Sequence, residues 1–330
     1  MNENIILEVN NLKKYFPIRE GFFLRHTGDV KALDGTSFTL REGETLGVVG
    51  ESGCGKSTLG KTIIRLHDPT EGEIILNGKN MESMKKNELR LHRKDIQMIF
   101  QDPFASLDPR MTVGKILREP LDVHQVGDPK ERDQMVKDLL KSVGLKEMHL
   151  NRYPHEFSGG QRQRISVARS IALKPKLIIA DEPVSALDVS IQAQVLNLLK
   201  DIQKKLNLTL IFISHDLSVV EHMCDRIAVM YLGKIVEICD REELFKNPKH
   251  PYTQALIGAI PIAGHGKRKK RKILSGDVPS PINPPSGCTF HPRCEFATEQ
   301  CKKVIPKLIS VSTECEHQTS CLLYETGVLK

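Results

Sequence analysis

Residues 50–57 read Gly50-Glu51-Ser52-Gly53-Cys54-Gly55-Lys56-Ser57. An apolar run typical of a β-strand, residues 45–49, precedes them, and a run typical of a helix follows from Thr58. The three glycines allow the backbone to turn tightly and to direct its N–H groups at one anion at the start of the helix. The lysine can reach the β and γ phosphates of a nucleotide, and the last hydroxyl is suited to Mg2+. The spacing, with its flanking strand and helix, predicts a nucleotide site and not a plain glycine-rich turn. We call residues 50–57 the phosphate loop.

Polar side chains follow two other apolar runs that are typical of strands. Gln101 comes after residues 95–100, and its neutral amide could ligate Mg2+ or orient water. Asp181 and Glu182 come after residues 176–180. We expect Asp181 on the Mg2+ side of the phosphate loop, through water, and Glu182 in polarising the attacking water.

A second glycine-rich stretch opens a helix further along the chain. Ser158, Gly159, Gly160 and Gln161 precede a helical run that extends to residue 173. Because the N-terminal end of a helix is electropositive, these residues can receive an anion. A second phosphate-receiving helix start in one nucleotide-binding chain suggests a site shared by two subunits.

The N-terminal region predicts an antiparallel sheet and a surface for a base. Residues 5–9 and 36–40 alternate apolar and polar side chains, and residues 72–78 form a run closed by turn residues. Phe16 is the preferred stacking surface for adenine, and Tyr15 is the second choice. An ordinary role in the core is the alternative for each ring.

Charge and cysteine content limit the classes of function. The chain has 330 residues and a formal net charge of +7, and six of those positive charges lie in the run 267–272. A solvated linker is the first interpretation of this run, ahead of contact with anionic lipid and then nucleic acid. The chain lacks an export signal and an apolar run long enough for a bilayer, so its eight cysteines are expected as thiols or metal ligands.

The motifs together resemble those of an ABC-type ATPase, over about residues 5–260. The resemblance rests on the phosphate loop, Gln101, residues 158–161, 177–182, the Asp188 loop and His215, in that order. It implies an α/β fold: a P-loop NTPase core of ABC type with an antiparallel β subdomain, a helical subdomain at about 104–170 and a small Cys-rich C-terminal extension. It also implies a head-to-tail pair that holds two ATP molecules, each contacting the phosphate loop of one subunit and residues 158–161 of the other. His215 would contact the γ-phosphate.

The segment Asn247-Pro248-Lys249-His250-Pro251-Tyr252-Thr253, followed by a short apolar helix expected at residues 254–260, resembles the C-terminal segment of ATPase subunits of oligopeptide and dipeptide importers. Those subunits also carry a long insertion like the one between Phe16 and Val30. Residues 43–74 resemble the F-type subunit more than the D-type. The chain would then comprise an ATPase domain, 1–260, and an importer-type extension, 261–330. Expected partners are a second ATPase subunit, homologous or identical, two transmembrane permease subunits and, indirectly, an extracellular solute-binding protein; nucleic acid is not expected. The protein would lie peripherally on the cytoplasmic face of the cell membrane.

Five cysteines lie within the last segment of the chain. Their spacing lacks the paired CxxC of common zinc modules, so spacing alone supports zinc weakly. Some of the importer ATPases that this region resembles hold a four-iron four-sulfur (4Fe-4S) cluster. The expected ligands are Cys288, Cys294, Cys301 and Cys321, with Cys315 spare. Zinc and unligated thiols are the alternatives. Elsewhere, Cys54 is expected as a spacer and less as an oxidisable thiol, and Cys224 and Cys239 as buried residues.

The alternative function is an ABC ATPase that acts on DNA or the ribosome. Such proteins carry long coiled coils or two ATPase domains in one chain, and neither feature is evident here.

Overall fold

The computed structural model describes residues 4–21, 25–260, 276–313, 315–325 and 327. The basic run 267–272 lies outside these residues. The strands are β1 (Ile5–Glu20), β2 (Arg25–Arg41), β3 (Thr45–Val49), β4 (Glu71–Leu76), β5 (Lys79–Asn80), β6 (Ile96–Ile99), β7 (Leu177–Asp181), β8 (Thr209–Ile213), β9 (Arg226–Tyr231), β10 (Lys234–Asp240), β11 (Ile309–Ser310) and β12 (His317–Thr319).

The helices include short and long elements. The α-helices are α1 (Lys56–Ile63), α2 (Lys86–His92), α3 (Pro103–Ser106), α4 (Val113–Val123), α5 (Pro129–Ser142), α6 (Gly159–Ile171), α7 (Val189–Leu206), α8 (Leu217–Met223), α9 (Arg241–Lys246), α10 (Pro251–Gly258) and α11 (Leu322–Glu325). Short 3-10 helices span Glu147–Asn151, Pro154–Glu156, His291–Arg293 and Gln300–Lys302. No helix in the described parts of the chain combines the length and the apolar character that crossing a membrane requires.

The chain divides into two compact units that interleave along the sequence. The loop unit comprises the described parts of Ile5–Leu40, Leu46–Asn80 and Ser214–Lys330, and it contains the phosphate loop. The helical unit comprises Asn4, Arg41–Thr45 and Met81–Ile213 among the described residues.

The loop unit contains two sheets. An antiparallel sheet has the strand order β2-β1-β4-β5, which confirms the antiparallel sheet expected from the alternating side chains. The other set of strands has the order β11-β12-β10-β9-β3. In it β3 pairs in parallel with β9, while β10 pairs antiparallel with both β9 and β12. Every residue of β3 and β9 is buried, as expected for strands covered on both faces. The phosphate loop therefore starts from a rigid strand.

The helical unit is built on the parallel strands β8-β7-β6, and β7 and β8 are buried along their whole length. The strands predicted at 95–100 and 176–180 are confirmed by β6 and β7. Helices α4, α5 and α6 pack against one another. Asp128 caps α5 by accepting hydrogen bonds from the N–H groups of Lys130 and Glu131, and Pro129 occupies the first helical position. Residues 124–128 separate α4 from α5.

Candidate functional site: a phosphate loop and a set of four cysteines

The shape of the phosphate loop requires glycine at two positions. Gly50 has φ of 153°, and a Cβ there would lie 2.2 Å from the carbonyl oxygen of Met230. Gly55 has φ of 105°, and a Cβ there would lie 2.2 Å from the carbonyl oxygen of Ala32. Because both neighbours are backbone atoms, a side chain at either position would force the loop or a strand to move. Gly55 is the N-cap of α1, so the loop leads directly into a helix start.

Lys56 closes the loop from inside. Its side chain is buried, and Nζ donates to the carbonyl oxygens of Gly50 at 2.8 Å and of Glu51 at 3.0 Å. Ser57 and Thr58 follow in the first turn of α1 and are half-buried. The ammonium and the first-turn hydroxyls therefore belong to one compact loop. This is the arrangement that the sequence predicted for binding a triphosphate and Mg2+.

The thiol of Cys54 is buried within the same loop. Burial raises the pKa of the Cys54 thiol, and the neighbouring Lys56 ammonium, with its Nζ 3.8 Å from Sγ, offsets only part of this rise. A neutral thiol is a poor nucleophile toward oxidants. The structure therefore favours the spacer role for Cys54.

The two candidate rings for adenine differ in their environment. Tyr15 donates a hydrogen bond from its hydroxyl to Oδ1 of Asp34 at 2.5 Å, and its N–H donates to Thr70 at 2.9 Å. Burial, and then the bond to Asp34, raises the pKa of the Tyr15 hydroxyl. Phe16 is partly exposed, and its ring meets the ring of His67 edge-on at 5.2 Å. Since Tyr15 is held by polar contacts, Phe16 remains the better candidate for stacking.

Gln101 and Glu182 lie together although 81 positions separate them in the sequence. Nε2 of Gln101 donates to Oε2 of Glu182 at 3.0 Å. Glu182 follows the buried Asp181 at the end of β7, and its φ of 45° lies in the left-handed region. An uncommon backbone conformation at a strand end re-aims the side chain, and such positions concentrate at functional sites. The predicted amide and base are therefore neighbours.

The helix start at Ser158 is closed by its own side chains. Ser158 is the N-cap of α6, its hydroxyl oxygen accepts the N–H of Gln161 at 3.4 Å, and Oε1 of Gln161 accepts the N–H of Ser158 at 3.1 Å. Gly159 and Gly160 form the first positions of the helix. Sequence reasoning predicted an anion-binding end here but missed this capping box.

The remaining predicted residues lie at the starts of two other helices. Asp188 is the N-cap of α7, and His215 is exposed just before α8, whose N-cap Asp216 accepts the N–H of Ser218 at 2.9 Å. The loop unit contains the phosphate loop, Phe16, Tyr15 and His215, and the helical unit contains Gln101, residues 158–161, Asp181, Glu182 and Asp188.

Four of the five C-terminal cysteines form one set. The N–H of Cys288 donates to the carbonyl oxygen of Cys301 at 2.8 Å. Burial raises the pKa of both the Cys288 and the Cys294 thiols to about 11, and each is raised further by the other thiols of the set, Cys301 and Cys321 among them. Cys315 instead lies near Cys239. The structure thus brings together the four thiols that the sequence picked as ligands and separates them from the spare one.

Each of the four sulfurs receives a hydrogen bond. Cys301 Sγ accepts the N–H of Thr298 at 3.5 Å. The other three accept backbone N–H groups of Phe290, Phe296 and Leu323, each of which lies two positions beyond its cysteine. The three backbone bonds lower the pKa of the Cys288, Cys294 and Cys321 thiols against the effect of burial. N–H donors around sulfur stabilise the thiolate, the form that ligates metal.

A second buried group joins the C-terminal strand β12 to β10. Glu237 is fully buried, and its carboxylate accepts hydrogen bonds from Nε2 of His317 at 2.7 Å and from the N–H groups of Lys249 and His250 at 2.6 and 2.9 Å. In the described residues, Glu237, Cys239 and His317 are the group of three possible metal ligands whose atoms all lie within 4.8 Å of one another. Because the carboxylate is already held by three N–H donors, we interpret the group as a structural tie.

Sequence reasoning missed Arg293 and Tyr252, which both contact the phosphate loop. Arg293 forms an ion pair with Glu51, and the hydroxyl of Tyr252 accepts the N–H of Glu51. The signal for Arg293 was present in the pattern Cys288-x-Phe290-x-Pro292-Arg293-Cys294, in which an arginine stands beside a cysteine. No local pattern could pair it with a residue 242 positions earlier.

Comparison with family models and known proteins gives consistent results. The model described as "ABC transporter" matches residues 33–185, and the model described as "Oligopeptide/dipeptide transporter, C-terminal region" matches residues 236–301. The chain is 55% identical over 327 residues to the oligopeptide transport ATP-binding protein AppF of Bacillus subtilis, with 98% of each chain covered. It is 52% identical over 303 residues to the dipeptide transport ATP-binding protein DppF of Haemophilus influenzae, with 92% of each covered.

Solved structures with the same fold are ATP-binding cassettes. One is a dimeric post-hydrolysis state of the cassette MJ0796 bound to ADP and Pi, with 29% identity and a TM-score of 0.63, covering 72% of this chain and 99% of that one. Another is cbiO1 of Clostridium perfringens, described as part of the ABC transporter complex cbiONQ. It has 28% identity and a TM-score of 0.63, and covers 74% of this chain and 92% of that one.

Proposed function

Because this chain belongs to the ABC transporter family of ATP-binding proteins, we propose that it is the ATP-hydrolysing subunit of a membrane importer of oligopeptides or dipeptides. The observation that carries the proposal is a phosphate loop closed by Lys56 at the start of α1, in a chain that aligns along 98% of its length with an oligopeptide transport ATP-binding protein. The two relatives named above, AppF and DppF, agree with the F-type resemblance. This family assignment favours the importer over an ATPase of DNA or the ribosome.

Each predicted residue has a separate role in the proposed nucleotide site. The phosphate loop and Thr58 bind the phosphates, Lys56 neutralises the β and γ oxygens, and Ser57 and Gln101 bind Mg2+, with Asp181 acting through water. Phe16 stacks on adenine. Glu182 polarises the attacking water, and the hydrogen bond from Gln101 holds its carboxylate in place. His215 contacts the γ-phosphate.

Two such subunits work as a pair. Each ATP contacts the phosphate loop of one subunit and Ser158, Gly159, Gly160 and Gln161 of the other, with Asp188 near the shared site. The nucleotide then favours the closed pair because it binds both surfaces at once, and hydrolysis removes that preference. The movement of the pair is passed to two permease subunits. An extracellular solute-binding protein delivers the transported peptide to those subunits. The subunit thereby acts at the cytoplasmic face of the cell membrane.

The four cysteines fit a 4Fe-4S cluster, which Cys288, Cys294, Cys301 and Cys321 would hold. A tetrahedral zinc site with Zn–S bonds of about 2.3 Å would place its sulfurs about 3.8 Å apart. In the described residues, no three of these sulfurs lie within 4.8 Å of one another. Sulfurs that accept N–H hydrogen bonds suit thiolate ligation of iron, and this supports the cluster as the proposal. When bound, the cluster would crosslink the segment and supply a one-electron redox centre. Zinc and unligated thiols are the alternatives.

Replacing one cysteine tests the cluster. In protein purified without oxygen, Cys294→Ser should lose the visible absorbance and most of the iron and sulfide of the wild type. Cys315→Ser, which changes the spare thiol, should keep them. Stoichiometric zinc with no iron or sulfide in the wild type would contradict the cluster.

Replacing the proposed base tests the ATPase assignment. In the complete complex with permease subunits, Glu182→Gln should bind MgATP but hydrolyse it at least about 100-fold more slowly, because general base catalysis contributes about that much. Glu242→Gln is the matched control, since Glu242 is 87% exposed and lies on α9, outside the proposed site. Wild-type turnover by Glu182→Gln would show that Glu182 is not the base.

A further inference from the structure

We propose that Arg293 is a positioning residue of the nucleotide site, which holds the phosphate loop in its binding shape through Glu51. The proposal rests on the nucleotide-binding function proposed above and adds a residue to it from the C-terminal, cysteine-containing segment.

The side chains of Arg293 and Glu51 form a bidentate ion pair. Nη1 of Arg293 donates to Oε2 of Glu51 at 2.7 Å, and Nη2 donates to Oε1 at 3.0 Å. The side chain of Arg293 is 6% exposed and that of Glu51 is 26% exposed. Parallel hydrogen bonds between a guanidinium and a carboxylate fix orientation as well as distance, and lysine cannot reproduce them.

Glu51 is held at its backbone as well as at its carboxylate. Its N–H donates to the hydroxyl of Tyr252 at 2.9 Å, and its carbonyl oxygen accepts from Nζ of Lys56 at 3.0 Å and from the N–H of Cys54 at 3.3 Å. Glu51 is therefore the residue through which the C-terminal segment touches the loop, and its carbonyl contacts the lysine that is assigned to the phosphates.

Arg293 is itself held by packed rings. It ends the short 3-10 helix His291–Arg293, and its guanidinium lies 5.9 Å from the ring centre of Tyr231. The ring of the fully buried Phe290 packs at 5.3 Å from Tyr231 and 5.4 Å from Tyr252. The arginine thus projects from a packed cluster of aromatic rings, and its ion pair with Glu51 connects the phosphate loop to that cluster.

Bracing of this kind affects affinity more than chemistry. A loop that is already in its binding shape does not lose conformational freedom when the nucleotide binds, so the contact should tighten MgATP binding. Arg293 lies outside the phosphate loop, and the carboxylate of Glu51, unlike the backbone of the loop, is paired with Arg293 and not assigned to the phosphates, so the rate of bond cleavage should change little. Replacing either side chain alone should lower MgATP affinity by as much as replacing both, because each side chain acts on the loop only through the other.

The test measures MgATP affinity of the full-length chain and KM and kcat of the assembled complex. The variants are Arg293→Gln, Arg293→Lys, Glu51→Gln and the double change Arg293→Gln with Glu51→Gln. Arg226→Gln is the control: Arg226 is as buried, contacts the carbonyl of Thr39 and pairs with Glu316. We expect each of the four variants to weaken MgATP binding and raise KM about tenfold, with kcat within about twofold of wild type. The double variant should be no weaker than either single one, and Arg226→Gln should bind like wild type.

Three outcomes would overturn the proposal. These are unchanged MgATP affinity in Glu51→Gln and Arg293→Lys, additive losses in the double variant, or an equal loss in Arg226→Gln. Glu51→Gln keeps the test decisive if Arg293→Gln does not fold, since Glu51 is partly exposed and its replacement is close in shape. If the wild-type chain itself does not bind or hydrolyse MgATP, the proposed function fails; if it does and the variants match it, only the positioning role fails.

Discussion

The helix starts at α1 and α6 were both predicted to receive phosphate, and the structure completes them in opposite ways. Helix α1 begins after Gly55, which has no side chain to offer its N–H groups, so they remain directed at the loop. Helix α6 begins after the exposed Ser158, which already caps it together with Gln161. A helix that caps itself is stable at a surface without ligand. The first start therefore leaves its N–H groups open toward the loop, whereas the second already has its N–H groups capped, which is consistent with the proposal that its phosphate comes from another subunit.

The largest effect should come from a side chain at Gly55. In Gly55→Ala the new Cβ would meet the Ala32 carbonyl at 2.2 Å, so the loop must move, and a shift of about 1 Å can cost about 100-fold in function. We expect MgATP affinity to fall at least that far in an equilibrium titration. Gly53→Ala is the control. Gly53 has φ of 78° and nothing within 4 Å of the new Cβ, so only backbone strain, about 1 to 2 kcal/mol, applies. Equal losses in the two variants would contradict the steric account.

The second largest effect should come from Ser158 and should distinguish the role of the α6 start from that of the α1 start. Ser158→Ala should leave the MgATP affinity of the isolated chain within about twofold of wild type, but it should lower ATP turnover of the assembled complex by about 10- to 100-fold, through loss of a hydrogen bond to a charged phosphate. Loss of the cap should also cost about 1 kcal/mol of stability. Asp128→Ala removes a comparable cap from α5 and should lower stability without this loss of turnover. Weakened MgATP binding by the isolated Ser158→Ala chain would show that α6 serves its own subunit's nucleotide.

A third helix start predicts a pH effect on stability. His250 is fully buried at the N-cap of α10, where its Nδ1 accepts the N–H of Tyr252, and burial lowers its pKa to about 4. The unfolded chain therefore binds this proton first, and stability should fall by roughly 3 kcal/mol as the pH drops from about 6.5 to about 4. His250→Asn keeps a capping side chain and removes the titration, so its denaturant-unfolding free energy should depend less on pH in this range. An unchanged pH profile would contradict this role of His250.

Local patterns predicted what short-range physics determines. The glycines, the lysine and the flanking strand indicated the phosphate loop because each acts within a few residues. The spacing of the five C-terminal cysteines supported a metal site only weakly, and the choice of Cys288, Cys294, Cys301 and Cys321 as expected ligands came from a resemblance and stays a prediction.

Contacts between residues that are far apart in the chain could not be predicted from the sequence. The pairs Arg293 with Glu51 and His317 with Glu237 join positions 242 and 80 residues apart, and neither side chain stands in a repeating pattern. The capping box at Ser158 was missed for a different reason, because the same serine and glutamine had been interpreted only as an anion-binding end. The residues that link the C-terminal segment to the loop therefore emerged only from the folded chain.

The central claim is that one ATP joins the phosphate loop of one subunit to the Ser158 helix start of another. The mass of the Glu182→Gln chain in MgATP, alone and mixed with its partner ATPase subunit, tests this claim most directly when measured by light scattering. Our account predicts a pair of subunits with two bound nucleotides, which separates when MgATP is removed. A particle of single-subunit mass with MgATP bound and the partner present would contradict it.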